Sequence, residues 1–171
     1  MSETRLKPIE KIGYGLGDFG SNVVFQTILI LLPAFYTDVF GLAPAVMGTM
    51  FLAVRLLDTV TDPIMGIVAD NTNTRWGKFR PYLLWFAIPF SVIFVLTFIT
   101  PDFSESGKLT YAYVTYALLM VLYTVVNIPY CALGGVITSD SQERVSANSY
   151  RFFIATSAGV LISFFGPGLV D

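Results

Sequence analysis

RLLDTVTDP, Arg55 to Pro63, places one arginine and two aspartates in the middle of a stretch that otherwise reads as membrane helix, about Ala45 to Ala69. At helical spacing Arg55, Asp58 and Asp62 stand at i, i+3 and i+7, so all three share one face. A charge at the centre of a bilayer helix costs roughly 2.5–3.5 kcal/mol, and three cost on the order of 8–10 kcal/mol before any pairing. Residues that expensive face a bundle interior or a water-filled cavity, and they mark a functional site.

Composition agrees with a membrane setting. Hydrophobic residues make up 54% and charged residues 13% of the 171, and the mean hydropathy is +0.68. That is too apolar for an ordinary soluble domain and suits an all-α, multi-pass membrane protein. Histidine is absent, which removes His-based zinc sites and Ser-His or Cys-His catalysis. The single cysteine, Cys131, permits no internal disulfide. The polar N-terminus, MSETRLKPIEK, is followed by no small-residue cleavage site, so no removable signal peptide is expected. There is no basic run of the nucleic-acid-binding kind, and no nucleic-acid partner is expected.

Taking about 20 apolar residues per crossing, hydropathy predicts five transmembrane helices over about 12–36, 45–69, 82–99, 109–137 and 150–170. The first opens on a glycine-rich half, GYGLGDFGSN, suited to close helix approach. The third is almost wholly apolar. The N-terminal segment and the second and fourth loops hold Arg5, Lys7, Lys11, Arg75, Lys78, Arg80 and Arg144, with Arg151 just beyond the fourth, whereas the opposite side holds only Lys108. The positive-inside rule then puts the N-terminus in the cytoplasm and, after an odd number of spans, Asp171 outside.

Pro63 leaves the carbonyl of Thr59 without its helical donor, and Pro129 does the same to Val125. Freed carbonyls beside polar side chains at membrane depth are the material of ion sites in transporters. Asp58 falls within about one residue rise of the midplane and Asp62 about 7–8 Å to its cytoplasmic side. Thr124 and Asn127 reach similar depth on the fourth span, and Asn22 does so on the first. Two carboxylates one turn apart suit Na⁺, or a proton shared between them. The plainer alternative is a structural ion pair in which Arg55 neutralises Asp58, which leaves Asp62 unpaired. No metal other than such a Na⁺, and no cofactor, is expected. Asn22, Asn127 and Thr124 either line a polar cavity for a hydroxylated substrate or join helices. Tyr123 and Tyr130 flank this patch and are candidates to stack on a sugar ring.

GLGDF, Gly15 to Phe19, matches the GxGD signature of intramembrane aspartyl proteases. That chemistry needs a second aspartate sharing a proton with Asp18, and Asp58 or Asp62 would have to serve. The Tyr-Asp pair and the Pro-Ala-Leu motif that accompany it in such proteases are absent. Near the cytoplasmic end, Asp18 is expected to be solvated or to cap a helix. The chain is not expected to be an enzyme.

GIVADNTNTRWGKFRP resembles the loop between spans two and three of the major facilitator superfamily, with Gly66, Asp70, Arg75, Gly77, Lys78 and Arg80 in its cytoplasmic gate-side charge cluster. IGYGLGDFG, FYTDVFGL, RLLDTVTDPIMG, TRWGKFRP and YTVVNIPYCAL resemble, in order and spacing, the glycoside–pentoside–hexuronide cation symporters, the family of melibiose permease. Arg151-Phe152-Phe153 extends the match into span five.

The resemblance implies a fold and roles. The five spans would form most of the N-terminal six-helix half of a major facilitator fold, with the second half missing. Asp58, Asp62 and Thr124 would bind a coupling cation, Na⁺ or H⁺. Asn22, Asn127 and Arg151, with Tyr123, would bind a sugar or glycoside, and Arg55 and Asp18 would belong to the charge network around them. The setting would be the cytoplasmic (inner) membrane. Melibiose permease has a Lys-Asp pair at Ser21-Asn22, aspartate at Asn127 and tryptophan at Cys131. The NIPY form is more similar to the xyloside, pentoside and glucuronide branches. The alternative to a symporter part is a truncated or structural fragment with no transport activity by itself.

Overall fold

The computed structural model describes residues 5–166 and 168. The last residues of the expected fifth span, and the expected position of Asp171, lie outside the described residues. Five long helices follow one another: α1 (Pro8–Ala34), α2 (Pro44–Asn71), α3 (Arg80–Thr97), α4 (Glu105–Val136) and α5 (Ser141–Phe165). No strand occurs among the described residues.

The ends of these helices follow from local chemistry. Pro44 and Pro81 stand in the first turns of α2 and α3, where a missing N–H costs nothing and a fixed φ fits. Asp140 caps α5, its carboxylate accepting from the Gln142 N–H at 2.8 Å. That cap starts α5 at Ser141 rather than near Tyr150, because its polar first turns are invisible to hydropathy. Past Pro33, α1 continues as a π-helical stretch, Phe35–Val39. There Thr37 Oγ1 donates to the carbonyls of Pro33 (3.0 Å) and Ala34 (3.2 Å). The α2–α3 loop turns at Gly77, whose φ of +94° favours glycine. α2 and α4 run on through Pro63 and Pro129.

The helices contribute to two compact units, residues up to Leu31 with those from Tyr130 on, and Leu32–Pro129. The division falls inside α1 and α4. In the second unit Leu32, Tyr36, Met50, Thr97 and Leu119 are fully buried. Aromatic pairs fill the spaces between its helices, Phe51 with Tyr116 at 5.0 Å and Phe35 with Phe98 at 5.3 Å. In the first unit the core is Tyr14, Ile28, Tyr130, Ala147, Ala155 and Ala158. Small residues there let backbones approach.

Three helical stretches, Pro8–Val39, Arg80–Thr97 and Glu105–Val136, are long and apolar enough by composition to cross a membrane. α2 carries Arg55, Asp58 and Asp62, and α5 carries Glu143, Arg144 and Arg151.

Candidate functional site

In the Leu32–Pro129 unit, α2 presents Met50, Val54, Asp58, Met65 and Ala69 as its buried face. The spacing is that of an apolar helix stripe with an aspartate set into it. Asp58 is only 8% exposed. One turn on, Asp62 accepts a hydrogen bond from Thr124 Oγ1 at 2.8 Å, and Thr124 itself is buried. Two of the three expected cation ligands therefore touch directly across α2 and α4.

Arg55 Nη1 lies 3.7 Å from Asp58 Oδ2, but the arginine side chain is 57% exposed. An exposed pair at that distance neutralises weakly. Asp58 Oδ1 is buried with no hydrogen-bond partner among the described residues, as is Thr61 Oγ1 three residues further on. A buried carboxylate oxygen left in this state calls for a cation or a proton. Like charges one helical turn apart also repel, and a cation held between them removes that repulsion. Arg55 meets one oxygen of Asp58, so a structural ion pair alone does not satisfy the cluster.

Asn127 and Tyr123 also belong to this unit, both half-buried on α4. The Tyr123 ring packs at a tilt against Phe90, 6.2 Å between centroids. At the α2–α3 loop, Thr74 and Gly77 close a tight turn, with Gly77 N–H donating to the Thr74 carbonyl at 3.0 Å. Lys78 Nζ donates to the main-chain carbonyl of Asp70 at 3.1 Å. The Asp70 carboxylate is in no ion pair among the described residues. Arg75 lies over the Trp76 ring at 4.4 Å. Gly66 stands inside α2, Arg75, Lys78 and Arg80 are exposed, and Arg80 opens α3.

The other unit carries the remaining candidates. Asp18 is buried at 5% exposure, and its Oδ2 accepts from Arg151 Nε at 2.7 Å. Asn22 Nδ2 donates to Asp18 Oδ1 at 3.2 Å and to the Asp18 carbonyl at 3.0 Å. The expectation that Asp18 is solvated or caps a helix is thus overturned. It stands well inside α1, and α5 brings a guanidinium to it. Arg151 is likewise no surface anchor, since its side chain is 18% exposed.

Tyr130 cannot stack on a sugar ring. It is buried, lies parallel to Tyr14 at 5.0 Å, and donates its hydroxyl to the Tyr14 carbonyl. Lys11 was expected among the cytoplasmic anchors and is instead buried, 2.7 Å from Glu143 and donating to Ser146 Oγ at 2.9 Å. Sequence reasoning missed that pair and Tyr14, because their partners are more than a hundred residues away and no local pattern announces them.

With this geometry in hand, comparison with known proteins is informative. The family described as MFS/sugar transport protein matches residues 13–171. The chain belongs to that family. Its members are transporters rather than enzymes, which sets aside the protease that GLGDF brought to mind; Asp18 in any case gives its oxygens to Arg151 and Asn22. The chain is 55% identical over 152 residues to the inner membrane symporter YicJ of Escherichia coli, covering 89% of the chain and 33% of that protein. It is 47% identical over 154 residues to the isoprimeverose transporter of Lactiplantibacillus pentosus, covering 90% and 32%. It is 41% identical over 160 residues to a glucuronide carrier protein homolog of Escherichia coli, covering 92% and 35%. The chain thus spans about a third of the length of the curated relatives it matches. As a member of this MFS sugar transport family with long apolar helices, it is a multi-pass membrane protein.

Proposed function

We propose that the chain is part of a carrier that moves a sugar or glycoside together with a cation, Na⁺ or H⁺, across the cytoplasmic (inner) membrane. The observation that carries this is the α2–α4 cluster: Thr124 holds Asp62, while Asp58 keeps a buried oxygen with no partner among the described residues. In this reading all five helices cross the bilayer, with the N-terminus in the cytoplasm, and make up most of the first six-helix half of a major facilitator fold. α2 crosses despite its charges because Asp58 is buried, Asp62 is held by Thr124, and a cation loads the two carboxylates.

Asp58 and Asp62 are the hard oxygen ligands and Thr124 orients Asp62. Arg55 approaches one oxygen of Asp58 and leaves the other to the ion. Asn22, Asn127, Arg151 and Tyr123 serve the sugar, for which the relatives' isoprimeverose and glucuronide are the first candidates. The loop residues Gly66, Asp70, Arg75, Gly77, Lys78 and Arg80 form the cytoplasmic gate. Cation binding lowers the negative charge of the carboxylate pair and favours the conformation that holds sugar; by linkage, sugar then tightens the cation by the same factor. The remaining helices of the full-length carrier supply the other wall of the cavity, and one half rocks against the other.

The test is sugar uptake by the full-length carrier in vesicles under an imposed cation gradient. Asp58→Asn or Asp62→Asn removes cation-stimulated uptake while the protein still inserts. Unchanged coupling in both variants would overturn the cation site.

A further inference from the structure

We propose that Asp18 is a positioning residue for the substrate side of the carrier: its two carboxylate oxygens hold Arg151 and Asn22 in the orientations in which they meet a sugar. This rests on the reading of Arg151 and Asn22 as substrate residues.

Neither oxygen of Asp18 is idle. Oδ2 takes Arg151 Nε at 2.7 Å, and Oδ1 takes Asn22 Nδ2 at 3.2 Å. At 5% exposure the carboxylate has to be paired, and the pairing decides what each partner has left to offer. Asn22 Nδ2 has two hydrogens and finds two acceptors on the Asp18 side, Oδ1 and the main-chain carbonyl. The amide nitrogen is thereby fixed toward Asp18, and the amide oxygen is turned away as an acceptor.

Arg151 spends its Nε edge on Asp18. Among the described residues its two outer nitrogens reach long contacts, Nη1 to the Tyr14 hydroxyl at 3.5 Å and Nη2 to Cys131 Sγ at 3.7 Å. They remain donors for stronger acceptors. The guanidinium carbon lies 5.4 Å from the Tyr130 ring centre and 6.0 Å from that of Tyr14, so the stacked tyrosines back it. One carboxylate therefore sets an acceptor on α1 and a donor pair on α5. Neighbouring hydroxyls of a sugar, which both donate and accept, complement that arrangement. The ordinary alternative is an ion pair that only fastens α5 to α1.

The two roles separate in the kinetics of the full-length carrier. Uptake of labelled isoprimeverose and of a labelled glucuronide is measured for the wild type, Asp18→Asn, Asp18→Glu and Arg151→Gln. For whichever sugar the wild type takes, Asp18→Asn raises KM at least about tenfold, the loss expected for a charge-assisted contact put out of place. Vmax per folded carrier changes by less than about twofold. Asp18→Glu keeps the charge but moves it by one methylene, and raises KM by a smaller factor; it carries the test if the Asn variant does not fold. Wild-type KM in the Asp18 variants, with only the amount of folded carrier reduced, would overturn the positioning role. Wild-type KM in Arg151→Gln, or no uptake of either sugar by the wild type, would instead overturn the substrate reading beneath it.

Discussion

At the scale of single residues, the hydroxyl of Thr124 does work that its methyl cannot. Its donation to Asp62 at 2.8 Å fixes one carboxylate oxygen, and a hydrogen bond to a charged group contributes about 1.5–3 kcal/mol. Thr124→Val keeps the shape and removes the donor. The cation concentration for half-maximal uptake should rise about tenfold or more, whereas Thr124→Ser should stay within about threefold of wild type. Equal values for the two variants would show that the hydroxyl plays no part. Asp58 and Asp62 were legible in the sequence because a charge in an apolar run has no cheap explanation. Asp18 was not. It follows the alternating glycines Gly13, Gly15 and Gly17 near the expected start of a span, and its partner Arg151 counts among the positive charges expected on the cytoplasmic side, so both had an inexpensive local reading that the long-range pairing displaced.

At the scale of helices, close approach joins two buried ion pairs in holding the first unit together. A Cβ on Gly17 would lie 2.8 Å from Cε2 of the Tyr130 ring, and that ring is held by its stack on Tyr14 and its bond to the Tyr14 carbonyl. Gly17→Ala therefore forces α1 and α4 apart, at a cost of about 1–3 kcal/mol. A Cβ on Gly20 would meet nothing within 4 Å, and Gly20→Ala should be neutral or slightly stabilising, since alanine is the better helix former. Thermal unfolding of the two variants of the full-length carrier in detergent checks this. A lower midpoint for Gly20→Ala than for Gly17→Ala would contradict the packing. The helices themselves were readable from runs of apolar residues about one bilayer long. Their ends were less so, because an end is set by a cap or a turn. Asp140 extends α5 into a segment that hydropathy reads as loop, and the π-helical turn after Pro33 has no hydropathy signature.

At the scale of the whole molecule, the proposed carrier would complete the polar groups of these helices with more chain. The chain covers 33% of the length of YicJ and 32% of the isoprimeverose transporter. Residues 1–171 reconstituted alone should give no counterflow of labelled sugar, and counterflow from that piece would contradict the need for a second wall. The family was legible because five motifs recur in order. The sugar was not, because in the proposed carrier specificity arises from both walls of a cavity and from side-chain orientations that no local pattern sets. In the proposed carrier sugar and cation enter together, with the cation bound at Asp58 and Asp62. The most direct measurement is ion influx on adding sugar to de-energised cells that carry the full-length protein, recorded with Na⁺ and pH electrodes. The account predicts a sugar-dependent influx of Na⁺ or H⁺ with the wild type and none with Asp58→Asn or Asp62→Asn. Influx that persists undiminished in both variants would contradict it.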